Sequence, residues 1–117
     1  MKDSLIIAFG SQVSGKTRSS SDYDVAILKP GPKPMSLSER SRFSLRIAKK
    51  LGINEDTLDL VDLRTAPPLL QYEIAKKGKL LSGTLFDFTR FKVNAWKTYE
   101  DTARFRRLRE NKFKKYV

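Results

Sequence analysis

The chain has 117 residues, with 24 Lys and Arg against 13 Asp and Glu, a formal net charge of +11, and neither Cys nor His. That length suits one domain, and 39% hydrophobic with 32% charged residues is too apolar a mix for a disordered chain. The missing residue types exclude a disulfide scaffold, a zinc finger, a thiol nucleophile and any histidine-based triad, so a bound metal must take oxygen ligands, which points to Mg²⁺ or Mn²⁺.

In chain order, Ser4 to Phe9 is a compact apolar run closed by Gly10, and it reads as a buried strand. It is too short to cross a membrane and no signal peptide precedes it, so a cytoplasmic protein with no membrane partner is expected. A polar stretch from Gln12 to Ser21 follows. Asp22 to Leu28 (DYDVAIL) reads as a second strand. Lys29-Pro-Gly-Pro-Lys-Pro34 is a loop, because Pro fixes φ and lacks a donor. Ser36 with Glu39 three residues on forms a capping box and opens a helix that Gly52 ends. Leu37, Phe43, Leu45, Ile47, Ala48 and Leu51 are expected to share its apolar face. Thr57 to Leu63 alternates and reads as a third strand. Pro67-Pro68 starts a second helix that stops at Gly78, and Lys79-Leu80-Leu81 reads as a short edge strand. Thr84 to about Lys114 reads as one amphipathic helix, with Phe88, Phe91, Ala95, Tyr99 and Ala103 at intervals of three or four.

This alternation implies an α/β fold, a small mixed sheet with flanking helices, plus a long C-terminal helical segment. We divide the chain into residues 1–83 and a basic tail, 84–117. The first part holds 14 basic and 9 acidic groups, net +5, and the tail holds 10 and 4, net +6 in far fewer residues. Such charge attracts phosphate-rich or acidic partners. A nucleoside triphosphate, RNA, an acidic protein and a solvated basic surface all fit it.

Three carboxylates stand out because each interrupts an apolar strand. Asp22 and Asp24 are two apart, so they share a face at roughly 6–7 Å along the backbone. They repel unless a cation lies between them. If the third strand neighbours the second, Asp59 can join them, and three such oxygens would hold one or two Mg²⁺ ions. Asp62 falls on the opposite face and is expected as a surface or loop-facing acid. Tyr23 points away from the two aspartates and is expected to pack. Gly10 permits close backbone approach, and Ser11 offers a hydroxyl and backbone N–H groups to phosphate. Lys16 and Arg18 follow on the same connection as candidate phosphate-neutralising cations. These parts suit transfer from a nucleoside triphosphate, a reaction that depends on positioning and charge neutralisation and needs no histidine.

Gly10-Ser11, ten residues, then Asp22-Tyr23-Asp24 matches the GS-x10-DxD signature of the DNA polymerase beta nucleotidyltransferase superfamily. Phe9-Gly-Ser…Gly15…Ser21-Asp-Tyr-Asp-Val resembles its minimal branch, the MNT proteins. So do Leu58-Asp-Leu-Val-Asp-Leu63, then Ala66-Pro67, and Ile74…Lys77-Gly-Lys-Leu-Leu81. The resemblance covers about residues 4–81. It implies the nucleotidyltransferase fold, with Asp22 and Asp24 on two Mg²⁺ ions, Asp59 on the catalytic one, and Gly10 and Ser11 on the triphosphate. It also implies an antitoxin that moves AMP from ATP to a tyrosine of a HEPN-domain RNase toxin. Where relatives often read GSRARG, this chain reads Gly10-Ser-Gln-Val-Ser-Gly15, so Lys16 and Arg18 are the candidates to replace two absent arginines.

The alternative is a non-catalytic module that neutralises a toxin, or binds RNA, by contact alone. In the tail, Phe86, Phe88, Phe91, Trp96 and Tyr99 divide between core contacts and a partner interface. The cation–aromatic mixture of Arg104-Phe-Arg-Arg-Leu-Arg109 and Lys112-Phe-Lys-Lys115 suits RNA, an acidic protein or a solvated helix face equally. Nucleic acid is therefore possible but not required.

Overall fold

The structure is a computed structural model, and it describes residues 4–10 and 23–115. Among them, four strands form one sheet: β1 (Leu5–Phe9), β2 (Tyr23–Leu28), β3 (Leu58–Asp62) and β4 (Lys79–Ser82). The order is β3-β2-β1-β4. β1 pairs antiparallel with β2 and with β4, while β2 and β3 are parallel. The sheet is therefore mixed, as expected. A parallel pair needs a crossover, and helix α1 (Leu37–Leu51) supplies it.

α1 begins at the expected capping box. The Glu39 amide donates to Ser36 Oγ at 3.2 Å, and the Ser36 amide donates back to Glu39 Oε1 at 3.1 Å. Gly52 ends the helix with φ +69°. The buried face is narrower than expected. Phe43, Ile47 and Ala48 are buried, whereas Leu37, Leu45 and Leu51 are exposed. The reason is the helical period: at about 100° per residue, Leu45 lies about 200° round from Phe43.

A turn of 3-10 helix, Glu55–Thr57, occupies what the alternation assigns partly to β3. Asn54 caps it by accepting from the Asp56 amide. Helix α2 (Pro68–Lys77) starts with Pro at its first position, and helix α3 (Leu85–Lys115) runs as one segment.

The helices sandwich the sheet. On one face Ile6, Val25, Ile27 and Leu60 meet Phe43 and Ile47 of α1. On the other, Leu5, Ile7, Ala26 and Leu63 meet Ile74 of α2 and Phe88, Phe91 and Ala95 of α3. Ile7 and Ile27 are fully buried, each contributing about 2 kcal/mol of hydrophobic stabilisation. Farther along α3, Tyr99 stacks on Tyr72 with ring centroids 4.0 Å apart. Phe86 and Trp96, by contrast, are exposed.

Candidate active site

The sheet register brings two of the sequence-selected carboxylates together. Asp24 and Asp59 are direct partners across the parallel β2–β3 pair. Neighbouring strands lie about 4.8 Å apart and directly paired residues share a face. Both acids therefore project to the α2/α3 side, the side of Ala26 and Val61. They sit at the end of the sheet where β2 and β3 begin and β1 finishes. α1, which delivers β3 beside β2, thus joins two acids that lie 35 positions apart in sequence.

Gly10 lies at this same end, directly after β1. Its φ is +85°, a left-handed value that favours glycine. A Cβ built on Gly10 would collide with Asp24 Oδ2 and stand 3.1 Å from Asp24 Cγ. The close approach that glycine allows is thus first to a site carboxylate. Asp24 is half-buried and Asp59 is exposed on edge strand β3.

Two like charges placed directly opposite destabilise a sheet, and carboxylate oxygens are the donors Mg²⁺ prefers. The Asp24–Asp59 pair therefore fits a divalent cation on charge and donor chemistry. Among the described residues, no group of three or more acidic side chains converges. Asp22, Ser11, Lys16 and Arg18 lie outside the described residues.

Asp62 meets one of its two expected alternatives, since it faces loop backbone but does not reach the surface. It does lie on the opposite face from Asp59, but it is buried rather than on the surface, with 7% exposure. Its Oδ2 accepts from the Met35 amide at 2.9 Å and its Oδ1 from the Arg64 amide at 3.0 Å. It ties the end of β3 to the chain entering α1 and is a structural acid.

Other cations brace this scaffold, and the sequence reading assigns them no role. Lys29 Nζ donates to both carboxylate oxygens of Glu39 at 2.9 Å. This ion pair, helped by the Ser36 amide, pulls the Glu39 carboxyl down to about 2. Arg40 donates to the backbone carbonyl of Leu60, one residue beyond Asp59. Arg64 donates to the Lys29 carbonyl at 3.0 Å. Glu39 and Arg40 carry a legible signal only as helix N-terminal residues, because their partners depend on the crossover.

Comparison with known proteins agrees with this geometry. The family described as polymerase beta nucleotidyltransferase matches residues 3–84. The protein adenylyltransferase MntA of Shewanella oneidensis (strain MR-1) is 36% identical over 97 residues, or 82% of this chain. The matched stretch spans 66% of that relative, just under two thirds of its length. A crystal structure of a toxin–antitoxin with AMP-PNP superposes with a TM-score of 0.75 and 29% identity, covering 97% of this chain and 88% of the other. A structure of the tri-AMPylated Shewanella oneidensis HEPN toxin with its MNT antitoxin matches at a TM-score of 0.67 and 28% identity, covering 96% and 84%. With its glycine, its paired strand aspartates and its mixed sheet, this chain belongs to the polymerase beta nucleotidyltransferase family.

Proposed function

We propose that this chain is a Mg²⁺-dependent protein adenylyltransferase. It moves AMP from ATP to a tyrosine of a cognate HEPN-domain toxin and so acts in the cytoplasm as that toxin's antitoxin. The observation that carries this reading is the pairing of Asp24 with Asp59 beside Gly10. The names of the relatives, a protein adenylyltransferase and complexes of MNT antitoxin with AMPylated HEPN toxin, support the acceptor. The AMP-PNP complex supports ATP as the donor.

The tyrosine oxygen attacks the α-phosphorus of ATP, the bond to the β-phosphate breaks, pyrophosphate leaves, and the phenolic proton is released. Asp22, Asp24 and Asp59 would hold two Mg²⁺ ions, which neutralise the triphosphate and favour the ionised acceptor oxygen. Asp59 stands on the exposed edge strand and is the carboxylate open to an incoming acceptor. Half-buried Asp24 lies deeper, against Gly10. Gly10 and Ser11 would cradle the phosphates, and Lys16 and Arg18 would offset their charge.

The test is to incubate the chain with a cognate HEPN-domain toxin, Mg²⁺ and each of the four nucleoside triphosphates. Intact-mass spectrometry should find AMP units on the partner with ATP alone. An unmodified toxin that is nevertheless silenced, equally by wild type and by Asp24→Asn, would favour neutralisation by contact.

A further inference from the structure

Helix α3 has two apolar faces. The first, Phe88, Phe91 and Ala95, is buried on the sheet. The second is solvent-exposed: Phe86 is 70% exposed, Val93 45% and Trp96 57%. These three fall at i, i+7 and i+10, a single stripe on a helix. Arg90, Lys97 and Arg104, all exposed, follow one another at seven-residue intervals along the same stripe. The Arg90 guanidinium lies 5.9 Å from the centre of the Phe86 ring. A helix made only to cover a sheet needs one apolar face. Exposed Trp and Phe set among cations are the residues that dominate protein interfaces.

We infer that this outer stripe of α3 is the docking surface for the acceptor protein, and that it takes an apolar groove rimmed by carboxylates. The inference rests on the adenylyltransferase reading. On the stripe itself Arg90, Lys97 and Arg104 outnumber the one acid, Glu100, which selects an acidic rim, and the same excess opposes self-association through this face. Val93 offers no ring on which a base could stack, which favours protein over RNA. A solved relative that aligns over 96% of this chain is a complex of an MNT antitoxin with a HEPN toxin.

The experiment titrates the full chain with the cognate HEPN-domain toxin by calorimetry. The Val93→Ser, Trp96→Ala double variant should weaken binding at least tenfold. Lys97→Glu, a change at an exposed position that leaves the core untouched, should weaken it severalfold and flatten its salt dependence. Asp24→Asn should bind as wild type does. Trp96 is the sole tryptophan, so a 5-fluorotryptophan label gives one ¹⁹F resonance, which should shift on complex formation. Wild-type affinity in both stripe variants, or an unmoved ¹⁹F signal, overturns the inference. So does single-stranded RNA binding that needs Trp96 while partner affinity does not. Stripe-dependent binding without any AMP transfer by wild type would instead sink the adenylyltransferase reading and leave the docking surface standing.

Discussion

The carboxylate of Asp24 occupies the space in which a side chain at Gly10 would begin. Gly10→Ala must therefore both adopt an unfavourable left-handed backbone and push Asp24 aside. The strain should cost about 1–3 kcal/mol of stability. Displacing Asp24 by even about 1 Å should lower transfer roughly a hundredfold. Urea unfolding and a single-turnover AMP-transfer assay measure the two effects separately. Normal transfer in the variant would show that the close Gly10–Asp24 approach does not position the site.

Removing either acid of the β2–β3 pair should lower activity, and removing Asp59 should also raise stability. Asp24→Asn and Asp59→Asn should each lower transfer by roughly 10²–10³-fold. The double variant should be little worse than either, because the two act as a unit. Without divalent cation Asp59→Asn should melt above wild type, since a like-charge repulsion is gone. Mg²⁺ should raise the melting temperature of wild type more than that of the variants. Scanning calorimetry with and without Mg²⁺ checks this.

Asp62 should behave as a structural residue. Asp62→Ala leaves the amides of Met35 and Arg64 without their acceptor, at a cost of roughly 2–3 kcal/mol. The urea midpoint should fall with an unchanged slope, and the folded variant should still transfer AMP. A stable but inactive Asp62→Ala protein would contradict this assignment.

The Lys29–Glu39 pair makes an acid-sensitive contribution. Because the folded protein holds Glu39 at about 2, below its ordinary 4.5, the pair's stabilisation is complete above about 4.5. It declines as pH falls through 2. Carboxyl-resolved NMR titration should give a Glu39 midpoint near 2, and Lys29→Met should move it back toward the ordinary glutamate range. An unchanged midpoint in that variant would exclude Lys29 as the cause.

Much of this was legible because local chemistry decided it. The Ser36–Glu39 box, the Pro68 start and the apolar runs of β1 and β2 are short-range signals, and they lie where expected. The Asp59 side of the site was legible only as a condition, that the third strand neighbour the second. The crossover meets it through long-range pairing that no local pattern encodes. The fate of Asp62 was illegible for the same reason, since alternation gives its face but not the amides of Met35 and Arg64 that wait there. The apolar face of α1 is narrower than its leucines suggest, because Leu suits a helix by propensity even where it is exposed. Asp22, Ser11, Lys16 and Arg18 lie outside the described residues and keep the roles proposed for them.

The Asp24–Asp59 match also makes the proposed site sensitive to a one-residue slip. Inserting or deleting one residue immediately ahead of Leu58 would turn each β3 side chain to the reverse face of the sheet. A leucine would then stand beside Asp24. Arg40 on the Leu60 carbonyl and Asp62 on the Met35 amide are the pins that resist such sliding. Length changes should therefore be borne in the proline-rich loop at 30–34, upstream of both pins, and not at 55–57.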